Sequence, residues 1–236
     1  MNVSNNEGHW SESVGVFDLE TTGIDVSTSR IVSANVSLLD HGGNIVSRTD
    51  WLADPGVPIP EQASRIHGIT TEHARAMGRP AAAVVEEIVT ALREILAMGA
   101  PIVIYNAPYD LSLLRHEALR HGIEPLADPR PVIDPLVIDK AVDRYRKGKR
   151  TLDVVAAHYG VELLAAHDAS SDAIAAGRVA QALARTFPQA LSLDAAELHE
   201  MQVGWCVAQA QSFQTYMRTK KGRVDFVASG EWPIRV

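Results

Sequence analysis

The segment over residues 14–24, VGVFDLETTGI, constrains the fold more than any other part of the chain. Its apolar and β-branched residues predict a buried strand, and the Thr-Gly pair at residues 22–23 marks the turn that ends it. Side chains two positions apart on a strand share a face, so Asp18 and Glu20 point the same way. Each carboxylate disfavours ionisation of the other, and burial disfavours both. The pair therefore needs a positive partner.

No basic residue lies near this pair in the sequence until Arg30. Carboxylate oxygens are hard ligands that suit Mg²⁺ or Mn²⁺, so a divalent cation is the leading interpretation of Asp18 and Glu20. An Asp-x-Glu pair at a strand end is also commonly just solvated, and the pair alone leaves that alternative open.

Composition limits the class of protein. A chain of 236 residues can form one large domain, or one domain with an appendage. The net charge of −7 excludes a protein held on nucleic acid by bulk positive charge, so any such contact must be local. Residues 1–13 lack the apolar core of a signal peptide, and Cys206 has no second cysteine to pair with. We expect a cytoplasmic protein without a membrane span.

Hydrophobic periodicity predicts the elements. Strands are expected over residues 30–39 and 45–52, completing an antiparallel meander with the first strand. Further short strands are expected at 102–104 and 131–134, and helices over 71–76, 80–98, 111–121, 136–143, 152–159 and from 167–173 to about 186. Ser170 or Ser171 is expected to cap the last of these helices. This order predicts a mixed α/β layered domain over residues 12–187.

Residues 188–236 form a C-terminal extension whose role the sequence does not assign. A helix is expected from 194 to about 217 and a short strand at 224–227. The apolar stripe that includes Leu198 and Trp205 is expected to dock on the domain or, in a homodimer, on a second copy. Residues 189–193 faintly resemble a sliding-clamp-binding peptide, but they lack its terminal aromatic residue, which favours a plain linker.

Four acids and one histidine stand at element ends: Asp18, Glu20, Asp110, His167 and Asp172. Their order and context resemble the DEDDh exonucleases, the DnaQ-like branch of the ribonuclease-H-like superfamily. The matching segments are D-x-E-T-T-G within residues 17–23, I-H-G-I at 66–69, N-A-x-F-D at 106–110 and H-x-A-x-x-D-A at 167–173. The resemblance covers about three quarters of the chain. Tyr105 and Tyr109 replace the usual His and Phe, which bears on substrate preference.

The resemblance implies a ribonuclease-H-like sheet, three antiparallel strands followed by parallel strands, flanked by helices. It also implies a 3′→5′ exonuclease that hydrolyses single-stranded DNA and releases nucleoside 5′-monophosphates with two Mg²⁺ or Mn²⁺ ions. In that family pattern Asp18, Glu20 and Asp172 hold the first ion, Asp18 bridges to the second, and Asp110 acts mainly through water. His167 is the general base, since an unperturbed imidazole pKa lies near 6.5.

The resemblance also implies a substrate pocket made of Thr21, Thr22, Gly23, Ile24, His67, Asn106 and Tyr109. The turn after the first strand is expected to hold the 3′-terminal nucleotide through its backbone N–H groups. Taken singly, His67 is an ordinary loop residue, and Tyr109 either stacks on a base or packs in the core.

Two alternatives to this function remain open at this point. An RNA-trimming exoribonuclease would use the same chemistry, because recognition of the 2′-OH depends on pocket geometry. A non-catalytic, polymerase-associated binding module is the alternative from another class.

The expected partners are single-stranded DNA or RNA 3′ ends and a DNA polymerase or sliding clamp. The basic loop at 144–150 is either a solvated connector or a phosphate contact.

Overall fold

A six-stranded mixed sheet forms the centre of the protein in a computed structural model that describes residues 9–163 and 167–235. Its strands are β1 (Val14–Thr21), β2 (Ile31–Leu39), β3 (Ile45–Asp54), β4 (Arg79–Pro80), β5 (Ile102–Val103) and β6 (Val132–Ile133). They lie in the order β4-β3-β2-β1-β5-β6, with β1, β2 and β3 antiparallel and β1, β5 and β6 parallel. The predicted ribonuclease-H-like sheet is confirmed.

The helices are α1 (Glu61–His67), α2 (Thr71–Met77), α3 (Ala81–Ala97), α4 (Ala107–Arg120), α5 (Pro135–Val142), α6 (Leu152–His158), α7 (Ala169–Thr186), α8 (Pro188–Leu191) and α9 (Ala195–Lys220). No helix within the described ranges combines the length and the apolarity needed to cross a bilayer.

Several predicted boundaries were wrong. Helix α1 was not predicted, and residues 224–227 form no strand. Helix α4 begins four residues early, because Asn106 adopts a left-handed conformation and Pro108 fits the first turn, which needs no proline N–H. Helix α7 is capped by Asp168, whose side chain accepts the Ser171 N–H, rather than by either serine.

The alternating side chains of β1 divide the core between its two faces. Phe17 and Leu19 pack with α3 and α4, whereas Val14 and Val16 pack with α7. Asp18 and Glu20 therefore continue the face that α7 covers.

Gly177 allows α7 to lie directly on the sheet. A Cβ atom at this position would lie 2.5 Å from the Val16 Cγ1 and 2.7 Å from a Leu39 methyl carbon. Asp172 precedes Gly177 by five residues, about 7.5 Å along the helix axis. The close approach therefore brings Asp172 toward the acidic end of β1.

Helix α9 closes the outer edge of the sheet. His199 Nδ1 accepts the Val132 N–H at 3.0 Å, and Gln202 Nε2 donates to the Val132 carbonyl oxygen at 3.0 Å. Gln202 Oε1 also accepts the Asp134 N–H at 2.6 Å. These side chains replace the missing strand partner of β6, so the extension docks on the domain. The division at residue 187 stays a prediction.

Candidate active site

The predicted acids converge at the carboxyl end of β1. Carboxylate oxygens of Glu20 and Asp172 and a ring nitrogen of His167 all lie within 4.8 Å of one another. Asp18 lies close enough to Asp110, Glu20 and Asp172 for each charge to act on its carboxyl group. Five residues separated by up to 154 positions therefore form one cluster.

Asp110 reaches the cluster because α4 starts beside an unpaired edge of β1. Strand β5 pairs with β1 only at Gly15 and Val16, so the later N–H groups on that edge lack a strand partner. The Leu19 N–H donates to Asp110 Oδ1 at 3.2 Å, and Asp110 is buried. The carboxyl group thus completes the strand edge while facing the other acids.

Asp134 fixes the start of α4. Its two carboxylate oxygens accept the N–H groups of Asn106 and Ala107, each at 3.0 Å. Burial raises the pKa of Asp134, although these hydrogen bonds favour its charged form. Asp134 therefore places the first turn of α4, and with it Asp110.

His167 occupies an unusual backbone position in front of α7. It has a φ of 65°, a left-handed conformation that costs a non-glycine residue about 1–2 kcal/mol. Its backbone N–H donates to Asp172 Oδ2 at 3.1 Å, and its side chain is exposed. A strained residue that keeps its side chain open beside an acidic cluster indicates a functional constraint.

Burial and repulsion oppose ionisation of the cluster. Burial first, and then the charges of Asp110, Glu20 and Asp172, raise the pKa of Asp18 well above its usual range. Burial and neighbouring acids raise the pKa of Glu20 to about 7. Burial also raises the pKa of Asp110 and of Asp172.

Within the described residues, no Lys or Arg forms an ion pair with any of these four acids. The cluster thus offers several hard oxygen donors and an uncompensated negative charge. Both properties fit a divalent cation held by Asp18, Glu20 and Asp172, with Asp110 on the buried side.

Hydrogen bonds from Tyr109 on α4 and from the backbone of Arg30 hold the turn after β1 in place. The Tyr109 hydroxyl donates to the Gly23 carbonyl oxygen at 2.6 Å and lies 2.5 Å from Thr21 Oγ1. The Thr22 N–H donates to the Arg30 carbonyl oxygen at 3.0 Å, and Thr22 Oγ1 accepts the Arg30 N–H at 2.9 Å. Thr21, Thr22 and Tyr109 therefore shape this turn, and the Tyr109 ring packs against the core.

Three other predicted contact residues remain available to a ligand. Ile24 is 92% exposed at the tip of the turn, and Asn106 is exposed at the start of α4. His67 Nδ1 accepts the Ile69 N–H at 3.1 Å, so Nε2 carries the proton. That Nε2 is buried close to the Thr21 backbone and completes no hydrogen bond of full geometry within the described residues. Burial first, and then nearby His167, lowers the pKa of His67, although the Thr21 backbone opposes the shift. A neutral donor that is not fully satisfied beside the cluster indicates a ligand contact.

Sequence reasoning missed Asp134 and the capping role of Asp168. Asp168 lies close enough to raise the pKa of Asp18 and Glu20. The Asp-x-x-Ser spacing at 168–171 and the Asp-Pro pair at 134–135 are both helix-start signals. They would have predicted the caps, but not the contact from Asp134 to residue 106.

The sequence profile of the RNase T exonucleases matches residues 16–180, more than half of the chain. The chain belongs to this exonuclease family. The match confirms the predicted DnaQ-like 3′→5′ exonuclease class, and it includes all four acids and His167.

Similar proteins include two PolC-type DNA polymerases III. This RNase T family chain is 32% identical to the one from Streptococcus thermophilus over 165 residues, which are 70% of this chain and 10% of the polymerase. It is 29% identical to the one from Pediococcus pentosaceus over 164 residues, 70% of this chain and 11% of that polymerase. The chain thus spans about a tenth of the length of these relatives.

Solved structures of exonuclease I share the fold. A zinc-bound complex of the E. coli enzyme with single-stranded DNA superposes with a TM-score of 0.67 at 22% identity, covering 75% of this chain and 42% of that one. Exonuclease I from Methylocaldum szegediense gives a TM-score of 0.62 at 21% identity, covering 75% and 41%.

Proposed function

We propose that this protein is a divalent-metal-dependent 3′→5′ exonuclease that removes nucleoside 5′-monophosphates from single-stranded DNA. The observation that carries the proposal is the convergence of four acids and His167 at the end of β1, where no Lys or Arg of the described residues forms an ion pair with the acids. A non-catalytic binding module would have no need for such a costly cluster.

The acids serve as the metal ligands in this proposal. Asp18, Glu20 and Asp172 would hold a divalent ion, Asp18 would also contribute to a second, and Asp110 would act through water from its buried position. Divalent ions bound there would activate the attacking water and neutralise charge on the scissile phosphate. The backbone hydrogen bonds to Asp110 and Asp172 fix these carboxylates before substrate arrives.

His167 acts as the general base. Its ring lies within reach of the cluster, and its exposed side chain can approach a water on the substrate side. The imidazole takes the proton of the attacking water, and the adjacent carboxylates stabilise the resulting cation.

The 3′-terminal nucleotide lies between the turn after β1 and α1. His67 Nε2 donates to the nucleotide, and Ile24 offers an exposed apolar surface to its base or sugar. Asn106 lies where the strand leaves the site. DNA is favoured because the relatives are DNA polymerases and the exonuclease I complex contains single-stranded DNA. Contact with a polymerase or sliding clamp, a homodimer through α9 and the cytoplasmic location stay predictions.

The test uses 5′-labelled single-stranded DNA and RNA of matched sequence, with Mg²⁺, Mn²⁺ or EDTA. We expect metal-dependent shortening from the 3′ end by the wild type and none by Asp18→Ala. Glu86→Ala, an exposed acid on α3 across the sheet, is the matched control and should cleave normally. Faster RNA cleavage would favour the exoribonuclease alternative, and no cleavage of either strand would favour the binding module.

A further inference from the structure

A groove made of two adjoining parts follows the contact between α5 and α9. Its first part has a volume of about 220 Å³ and begins at Asn106, beside the start of α4 that carries Asp110. Its second part has a volume of about 710 Å³ and is lined by Arg144 and Tyr216. Lys140 and Phe213 line both parts, which adjoin at the contact between α5 and α9.

Aromatic rings face solvent at the far end of this groove. Phe213 is 51% exposed and Tyr216 46% exposed on α9, three positions apart and hence on one side of the helix. Tyr145, in the loop that carries Arg144, is 87% exposed. Exposed rings of this kind offer stacking platforms for unpaired bases of any sequence.

Cations accompany these rings. The Arg144 guanidinium lies 5.8 Å from the Tyr145 ring centre, and Lys221 Nζ lies 5.7 Å from that of Tyr216. Residues 201–224 contain four basic residues and no acid, in a chain with a net charge of −7. The acids that line the groove, Glu231 and the buried Asp134, belong to its first part. The far end therefore has the local positive charge that a phosphate backbone requires.

The basic loop at 144–150 links the groove to the segment that precedes α4. Arg146 and Arg150 are committed to Asp139, which leaves the other three basic side chains of the loop exposed. Arg144 lines the second part of the groove, and the Tyr105 hydroxyl donates to the Arg150 carbonyl oxygen at 2.6 Å. The loop thus runs from the second part of the groove to the residue before Asn106.

We propose that this groove binds the upstream, 5′-ward part of the single-stranded substrate while its 3′ end occupies the active site. This inference rests on the proposed function and adds an extended binding surface to it. From Trp205 to Tyr216, α9 spans about 16 Å, the length of roughly five stacked nucleotides. Rings accompanied by cations suit nucleic acid better than a protein segment.

The test measures binding without cleavage. Fluorescence anisotropy in EDTA would compare labelled DNA strands of 3 and 15 nucleotides on the intact protein. The main variant is the triple substitution Tyr145→Ala, Phe213→Ala and Tyr216→Ala. The phenylalanine variant, Tyr145→Phe with Tyr216→Phe, keeps all three rings and serves as the rescue. Arg185→Ala, an exposed cation at the far end of α7, is the charge control.

We expect the triple alanine variant to bind the 15-nucleotide strand at least about tenfold more weakly and the 3-nucleotide strand with little change. The phenylalanine variant should bind like wild type. Arg144→Ala should reduce the slope of log K against log salt by about 0.7, and Arg185→Ala should not.

Unchanged binding of the 15-nucleotide strand by the triple variant would overturn the proposal and leave the groove as a protein-docking surface. The binding assay and the cleavage assay test the two proposals separately. A protein that cleaves neither strand but binds DNA through these rings would refute the nuclease function and support the groove. A protein that cleaves DNA but binds it equally well without these rings would support the nuclease function and refute the groove.

Discussion

Two acidic sites in this protein, Asp139 and the cluster at the end of β1, have pKa values shifted in opposite directions. Asp139 is buried, its Oδ2 accepts from Arg146 at 2.6 Å and Arg150 at 2.5 Å, and its Oδ1 accepts from the Tyr159 hydroxyl at 2.9 Å. Burial opposes its ionisation, but these donors outweigh burial and lower the pKa of Asp139. At the end of β1, burial and repulsion raise the pKa of Asp18 instead.

The difference separates a structural acid from a functional one. Asp139 ties the loop at 144–150 to α5, and every charge at that site is matched within the chain. The acids at the end of β1 have no such ion pair among the described residues, although one nearby arginine would be enough to form it. A protein that pairs Asp139 with two arginines but leaves the buried Asp110 and the half-buried Asp18, Glu20 and Asp172 without a Lys or Arg partner in its described residues is suited to bind cations at the second site.

The largest expected effect is that of removing one acid from the uncompensated cluster. Asp18→Asn should reduce turnover by at least about 10⁴-fold, because a metal ligand supplies several kcal/mol to the transition state. The same variant should be about 1–2 kcal/mol more stable in EDTA, since it relieves repulsion. Single-turnover cleavage and urea denaturation measure the two effects. A variant less stable in EDTA than wild type would contradict the inferred repulsion.

The compensated site should respond in the opposite direction. Asp139→Asn should destabilise the protein by about 3–5 kcal/mol, because Arg146 and Arg150 lose their buried partner. Urea denaturation in EDTA checks this. Asp128→Asn, which removes an exposed partner of Arg130, is the control and should unfold like wild type. If Asp139→Asn were as stable as Asp128→Asn, Asp139 would not be a compensated buried acid, and its contrast with the β1 cluster would not hold.

His167 tests whether the cluster needs a base as well as cations. His167→Ala should lower turnover by about 10²–10³-fold and leave Mn²⁺ affinity nearly unchanged, since the carboxylates remain. Rapid-quench kinetics and titration calorimetry give the two values. Normal turnover would refute the assigned role, and loss of Mn²⁺ binding would make His167 a ligand.

The smallest effect is expected at Asp134. This buried acid differs from both Asp139 and the β1 cluster, because backbone N–H groups rather than arginines stabilise its charge. Asp134→Asn should cost about 1–3 kcal/mol in the free energy of unfolding, since an amide cannot accept both N–H groups. Turnover should fall a few-fold as Asp110 shifts. Urea denaturation and single-turnover cleavage test this, and unchanged values for both would show that the start of α4 is fixed without Asp134.

Local patterns explain what the sequence predicted well. The alternation along β1 indicated which face Asp18 and Glu20 share, and the periodicity of α3 and α7 indicated their existence. The motif order then identified all five residues of the cluster. These features depend on residues close together in the chain.

Features that depend on distant contacts were not predictable in this way. Asp134 accepts from residues 27 and 28 positions away, and α9 completes the edge of β6 across about 70 residues. The unpaired edge of β1 arises only because β5 is two residues long. That no Lys or Arg in the described part of the chain pairs with the cluster depends on packing that the sequence pattern does not encode.

The most direct test of the contrast is calorimetric titration of the metal-free protein with Mn²⁺, with thermal unfolding alongside. Wild type should bind two ions and gain about 2.7 kcal/mol of stability for each ion at 100 times its Kd, and Asp18→Asn should not show this gain. Glu86→Ala should match the wild type. No Mn²⁺ binding, or equal binding by wild type and Asp18→Asn, would contradict the assignment of the β1 cluster as a metal centre.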